Sequence, residues 1–393
     1  MRLLITGICG FAGSVIARGL LDHLEGIEIV GIDNLIRKGS ETNIEPLRAL
    51  GIDLRVGDIR KAEDLESLPP VDWVLDCAAN PSVLAGVDGQ TSAKELLDHN
   101  LGGTIHLLEY CRKHGAGFLL LSTSRVYSIP PLAGLKVQVI DKAFHPVFEM
   151  GNWPQNAQES QNSESLVTSS PVAFSLQPSF SSSSRPSTLD SRSALSPLGL
   201  TESFSTEPPI SLYGSSKRCS ELLALEYGCT FGFPVRINRC GVLAGAGQFG
   251  KADQGIFSFW IHSWARRRPL KYIGFGGMGH QVRDCLHPRD LVPLLIQQMS
   301  DAARPVAPIL NISGGAESAH SLAQLSDWCH QRLGAHAVTA DGTPRPFDIP
   351  WMVLDSSAAK HAWNWKPQTP ASEILEEIAK HAEQNPRWLE LVS

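Results

Sequence analysis

The chain has 393 residues, a formal net charge of −6 and only 19% charged residues. That length suits one large α/β unit with an accessory lobe, or two modest domains, and the acidic balance argues against a nucleic-acid or anionic-membrane binder, which needs a basic face. Eight scattered cysteines with no CxxC pair indicate neither a disulfide framework nor a zinc site, and they point to a reducing, cytoplasmic compartment.

In chain order, Arg2–Thr6, Glu28–Asp33, Ile52–Asp58, Trp73–Ala79 and Phe118–Ser122 read as short buried strands separated by amphipathic segments. The first of these, with the glycines behind it, reads as a strand and turn and not as a signal peptide. Asn100–His114 is the clearest helix, with Leu101, Ile105, Leu108 and Tyr110 near helical spacing and Gly115 as its stop. Alternation of this kind predicts a doubly wound parallel sheet of Rossmann type. Composition then changes: Ser160–Ser196 holds 15 serines and four charged residues, too little apolar area to offset its ordering entropy, so it reads as a loop or disordered insertion. Order returns at Gly199, with a helix over Leu212–Tyr227, a strand over Pro234–Arg239, a strand-like Ile309–Ile312, and helices at Leu322–Leu333 and Ala371–His381.

Gly7, Gly10 and Gly13, with Phe11 and Ala12 between them, follow the first strand and open a helix. In that context the glycines permit a tight turn, close approach of backbone to a pyrophosphate, and packing of helix on strand, while the helix N-terminus offers free N–H groups. Asp33 ends the second strand, where a carboxylate accepts from ribose hydroxyls and repels a 2′-phosphate. NAD is therefore expected over NADP, although Arg37 and Lys38 nearby are basic. Tyr213 and Lys217, four apart, share a helical face; a cation beside a phenol favours phenolate, a usable general base. Ser122-Thr123-Ser124 brings hydroxyls to the carboxyl end of a sheet strand, where doubly wound folds bind ligands.

On these residues, together with Asp33-Asn34, Gly57-Asp58-Ile59-Arg60, Ala78-Ala79, Asn100, Arg125-Val126-Tyr127 and the run Arg283 to Asp290, the chain resembles the extended short-chain dehydrogenase/reductase family, the NAD-dependent sugar-nucleotide epimerases and dehydratases. The resemblance implies a Rossmann core over 1–144 and 199–240, a Ser/Pro-rich insertion over 145–198, and a smaller, mainly substrate-binding lobe over 241–393 with 283–315 returning to the core. It implies Thr123, Tyr213 and Lys217 as catalytic residues. It places NAD against Gly7, Gly10, Phe11, Ala12, Gly13, Asp33, Asn34, Arg37, Asp58, Ile59, Ala78, Ala79, Asn100, Tyr213, Lys217 and Arg239. The nucleotide sugar falls to Gln248, Gln254, Gln281 and Arg283, the last reaching the diphosphate. No metal is expected: His280 and His287 have no metal-ligand spacing.

After the active-site hydroxyl, dehydratases carry Asp-Glu and decarboxylases Ser-Glu, whereas here Ser124 and Arg125 follow. Plain oxidation and reduction fits better than elimination. The strings Asp33 to Asn43, Gln248-Phe249 with Asp253-Gln254-Gly255, and Gly279 to Asp284 look most like CDP-paratose (CDP-tyvelose) 2-epimerases. The implied reaction is epimerisation of a nucleotide-activated sugar on NAD that never leaves. Ser128 and Ala244-Gly245 depart from the family pattern at the sugar pocket. A 4-epimerase or 4,6-dehydratase is the alternative, and an NAD-binding regulator without turnover is the alternative of another class. Glu202 reads equally as a sugar contact or a surface carboxylate, Arg266-Arg267-Arg268 as an exposed helix end, and Asn100–His114 with Tyr213–Thr230 as a homodimer face. Because the insertion falls between Thr123 and Tyr213, it is a candidate lid.

Overall fold

The computed structural model describes residues 1–87, 89, 91–148, 194–251 and 254–392. Seven strands form its central sheet: β1 (Arg2–Thr6), β2 (Glu28–Asp33), β3 (Asp53–Val56), β4 (Trp73–Asp76), β5 (Gly117–Thr123), β6 (Val235–Cys240) and β7 (Ile309–Ile312). They lie in the order β3-β2-β1-β4-β5-β6-β7, every neighbouring pair parallel. Such a sheet has to be covered on both faces. Strand alternation meets that need: Leu3, Ile5, Leu119 and Leu121 join one cluster with Ile16 and Leu20 of helix α1 (Phe11–His23). Leu4, Phe118 and Leu120 join another, with Leu107 and Leu108 of α2 (Gly103–His114) and Ala224 of α3 (Ser211–Phe231). This is the doubly wound α/β architecture expected from the sequence.

Where element ends differ from expectation, side chains have taken over the backbone. β4 stops at Asp76 because the N–H of Ala78 bonds Thr6 Oγ1 at 3.1 Å and Asp76 Oδ1 at 3.2 Å instead of a neighbouring strand. Asn100–His114 begins with a π-helical turn over Asp98–Gly102 and becomes regular at Gly103. α3 runs past Tyr227 to end at Gly232, whose φ of 75° closes the helix in the left-handed region.

The C-terminal lobe packs α4 (Ile256–Ala265), α5 (Leu322–Leu333) and α6 (Ala371–Gln384) around Phe257, Trp260, Leu325, Ile374 and Ile378. Against them lies the strand Val282–Leu286, paired in parallel with Val242–Leu243 and Trp351–Met352 and antiparallel with Ala319–Ser321. Nearly all of the Ser-rich segment read as a loop and candidate lid lies outside the described residues. The hairpins on either side of it, Val137–Ile140 with Ala143–Pro146 and Leu195–Ser196 with Gly199–Leu200, both feed the cluster containing Tyr127, Val282 and Leu354. Among the described residues, no helix is long and apolar enough to cross a membrane.

Candidate active site

At the carboxyl ends of the sheet strands, between sheet and lobe, lies a cavity of about 1000 Å³, the position where doubly wound folds take ligands. Its floor is the turn between β1 and α1. Gly7 has φ of 59°, and a Cβ there would stand 2.9 Å from Ala78 Cα, while one on Gly13 would stand 2.5 Å from the Gly7 carbonyl oxygen. Neither neighbour is a side chain that can swing aside, so the turn requires glycine. The turn and the N-terminus of α1, with Gly7, Gly10, Phe11, Ala12 and Gly13 all on the wall, leave N–H groups available to an anion.

Asp33 lies at the end of β2, 9% exposed and on the wall. It accepts from the N–H groups of Cys9 at 2.9 Å and Leu35 at 2.8 Å. Burial pushes its carboxyl up, with those backbone bonds opposing. Asn34, Ile59, Ala78 and Ala79 are wall residues as well. Two residues read as cofactor-binding sit behind the wall instead. Asp58 is held by Arg60 at 2.6 Å and by Asn34 at 3.2 Å. Although burial acts upward on its carboxyl, these bonds outweigh burial and hold it well below the usual range. Asn100 accepts from the Asn80 N–H at 2.8 Å and donates to the Asn80 carbonyl and to Ser216 Oγ, both at 3.1 Å, so it pins the loop after β4 to α3. Arg37 is on the wall, but its guanidinium donates to Gln254 Oε1 at 2.9 Å and to the Phe249 carbonyl.

Arg239 stands apart from the cavity wall. Only 3% exposed, it forms an ion pair with the fully buried Glu221 at 2.7 Å and reaches the Tyr127 hydroxyl at 3.3 Å. Ser122 donates to the same Glu221 at 2.6 Å. Arg239 is thus used up inside the protein, tying β6 to α3, and does not reach the cavity.

Thr123, Tyr213 and Lys217 all face the cavity. Thr123 ends β5 and its Oγ1 accepts from the Arg125 N–H at 3.2 Å. The Tyr213 phenol is 7% exposed; burial pushes its pKa up, while a hydrogen bond with Thr123 and the positive charge of Arg125 draw it down. The Lys217 residue is 2% exposed, and among the described residues its ammonium has no hydrogen-bond or ion-pair partner. A buried ammonium without a protein partner calls for a polar ligand. Its charge acts on the thiols of Cys77 and Cys240, which burial pushes up. Lys217 stands four residues along the same helix from Tyr213 and lines the cavity with it.

On the lobe side, Gln248, Gln254, Gln281 and Arg283 all line the same cavity. Gln248 donates to the Leu243 carbonyl at 2.5 Å and Gln281 to the Ile273 carbonyl at 2.8 Å. Arg283 lies 3.5 Å from Asp348, and burial, helped by Arg125, brings its guanidinium down to about 9. Arg345, Asp348 and Trp260 are further wall residues that sequence reading missed, because no local spacing marks them. Glu202 is neither sugar contact nor surface charge: it accepts from the Asn311 N–H at 2.7 Å, and burial pushes its carboxyl up. Arg266 and Arg267 bind the carbonyls of Ala382 and Leu333, both at 2.7 Å, and Arg268 pairs with Glu390 at 2.8 Å. His287 meets Glu377 at 3.2 Å, and the His280 ring packs edge-on against Phe144.

A family model described as the NAD dependent epimerase/dehydratase family matches residues 3–142 and 183–313. The chain is 25% identical to CDP-paratose 2-epimerase of Salmonella typhi, over 96% of this chain and 98% of that protein. It is 22% identical to UDP-glucuronate 4-epimerase of Thermodesulfobacterium geofontis, over 97% and 96%. Among solved structures, UDP-glucuronic acid 4-epimerase from Bacillus cereus, in complex with UDP-glucuronic acid and NAD, shares the fold with a TM-score of 0.68 and 21% identity, over 98% of this chain and 99% of that one.

Proposed function

The chain belongs to the NAD dependent epimerase/dehydratase family, a family of enzymes, and we propose that it epimerises a nucleotide-activated sugar on NAD it does not release, with a CDP-sugar 2-epimerisation as its reaction. One observation carries this reading: Thr123, Tyr213 and Lys217 stand on the wall of the same cavity as the glycine turn and Asp33. The fit to NAD rests on that turn, which excludes a Cβ at Gly7 and Gly13, and on the Lys217 ammonium, which has no partner among the described residues.

NAD, when bound, supplies a reversible hydride acceptor. The turn and the α1 N-terminus hold its pyrophosphate, Asp33 accepts from the adenosine ribose, and Lys217 binds the nicotinamide ribose. Thr123 hydrogen-bonds the reacting sugar oxygen. Tyr213 takes the hydroxyl proton and returns it after the ketosugar has turned over in the cavity. Gln248, Gln254, Gln281 and Arg283 bind the nucleotide sugar. Elimination of water needs a further acid beside Thr123, and Ser124 and Arg125 there are a buried hydroxyl and a cation; this supports epimerisation over dehydration. The choice of a CDP sugar and of the 2-carbon is supported by the similarity to the Salmonella enzyme along both full lengths.

The Rossmann half over 1–144 and 199–240, to which 283–315 returns, then serves the cofactor, and the rest of the lobe over 241–393 mainly the sugar. Eight free thiols suit a reducing, cytoplasmic compartment. A homodimer through α2 and α3 is supported by Leu222 and Phe231, which α3 leaves 51% and 48% exposed.

The test is to incubate purified protein, without added cofactor, with CDP-, UDP- and dTDP-sugars and to identify products by NMR and mass. An epimer of unchanged mass is expected, and Tyr213→Phe should slow its formation by about 10²- to 10⁴-fold with bound dinucleotide retained. A product lighter by one water identifies a dehydratase, and an undiminished rate in Tyr213→Phe removes the mechanism.

A further inference from the structure

Gln248 stands on the cavity wall with only half of its amide engaged. Its Nε2 donates to the Leu243 carbonyl at 2.5 Å, and because a carbonyl can only accept, the amino half has to face it. Oε1 is left on the other side of the amide, buried and without a hydrogen-bond partner among the described residues. The group is packed tightly against Gly255, where a Cβ would stand 2.9 Å from Gln248 Cδ. A buried acceptor left open is costly until something brings it a donor, and the cavity is where a donor can come from.

The backbone of Gln248 is held as firmly, by a residue 140 positions further along the chain. Its carbonyl accepts from Ser258 Oγ of α4 at 3.0 Å and from Trp388 Nε1 at 2.9 Å. Trp388 opens a short helical turn, Trp388–Leu391, that follows α6. Its ring also stacks on Phe249, with centroids 5.7 Å and planes 25° apart. One indole thus grips two consecutive residues of the wall, the first by its main chain and the second by its ring. The indole is itself seated: His381 of α6 meets it edge-on at 4.7 Å, and Glu390 of the same turn pairs with Arg268 at 2.8 Å. Trp388 does not line the cavity, so whatever it does there it does through Gln248 and Phe249.

We propose that Trp388 is a positioning residue for substrate binding: it holds Gln248 so that Oε1 is preset to accept from a hydroxyl or amine of the nucleotide sugar. The identity of that ligand rests on the epimerase reading; the hold on Gln248 does not. With the acceptor fixed before the ligand arrives, binding costs no further ordering of this side chain.

The experiment compares wild type, Trp388→Ala, Trp388→Phe, Gln248→Ala and the Trp388→Ala/Gln248→Ala double variant, each purified with its dinucleotide. Affinity for CDP-glucose, UDP-glucose and dTDP-glucose is measured by calorimetry, and amide hydrogen exchange over residues 244–251 is followed on the same samples without sugar nucleotide. Gln248→Ala and Trp388→Ala should each weaken binding by about tenfold, the scale of one buried hydrogen bond. The double variant should bind no more weakly than Gln248→Ala alone, because a residue that acts through another adds nothing once that other is gone. Exchange over 244–251 should quicken in Trp388→Ala. Trp388→Phe, which keeps the stacked ring and loses the N–H, should fall between wild type and Trp388→Ala in both measurements, and it carries the test if Trp388→Ala does not fold. Additive losses in the double variant overturn the proposal, since they would make Trp388 a general prop of the lobe. Unmoved exchange overturns it as well. Should wild type bind none of the three nucleotide sugars, the epimerase reading falls and the proposed ligand with it, while quickened exchange in Trp388→Ala would still establish the hold on Gln248.

Discussion

Glu221 of α3 and Arg239 of β6 form an ion pair at 2.7 Å with side-chain exposures of 0% and 3%, directly behind the strand that carries Thr123. Breaking such a pair from one side leaves a buried charge uncompensated, which costs about 3–5 kcal/mol. Glu221 also meets Arg218 at 3.3 Å, which offsets part of that cost, so Arg239→Met should lower stability in denaturant titration by less, about 1–3 kcal/mol, while bound NAD per folded protein is unchanged. Loss of NAD from a fully stable variant would restore Arg239 to the cofactor site.

Asp33 is expected to be the selector for the cofactor. Asp33→Asn keeps an acceptor for one backbone N–H but loses the charge, and hydrogen bonds to a charged group are worth about 1.5–3 kcal/mol. Affinity for NAD should fall by roughly 10- to 100-fold and the preference over NADP should narrow, measured by calorimetry on protein stripped of dinucleotide. An unaltered preference for NAD would remove Asp33 from that role.

Asp284 should leave a signature in the pH dependence of stability. Burial raises its carboxyl from 3.8 to about 6, against bonds from the Leu354 N–H, at 3.0 Å, and from Ser313. An acid whose folded value is raised binds its proton more tightly folded than unfolded, so its contribution to stability falls as pH rises from about 4 to 6. Asp284→Asn cannot titrate. The stability difference between Asn and wild type should therefore move in favour of Asn across that window, and a flat difference would show that Asp284 is ionised throughout.

The proposed dimer has a direct handle in Leu222, half exposed on α3. Leu222→Glu changes nothing in the core and places a charge in the middle of the α2–α3 face. Sedimentation should show wild type as dimer and the variant shifted to monomer. A monomeric wild type would dismiss the face as an interface.

The sequence revealed those parts of the site whose logic is local. The glycine turn is fixed by sterics within a few residues, and Tyr213 with Lys217 by helical spacing. Strand ends were read to within a few residues wherever apolar runs stop at a polar side chain. What escaped depends on chain segments that meet only in the fold. Nothing near Arg239 signals that Glu221 waits for it, so it looked like a ligand-binding arginine. Nothing in the run after Thr123 signals that the Arg125 carbonyl packs against Gly214. Arg345 and Asp348 reach the cavity from a loop without regular structure.

Arg37 couples the loop after β2 to the lobe through an amide oxygen and a main-chain carbonyl, neither of which carries a charge. Phe249, Gln254 and Arg37 all line the cavity, so its walls cannot part on that side without breaking both bonds, and the loop after β2 moves with the run that leads into α4.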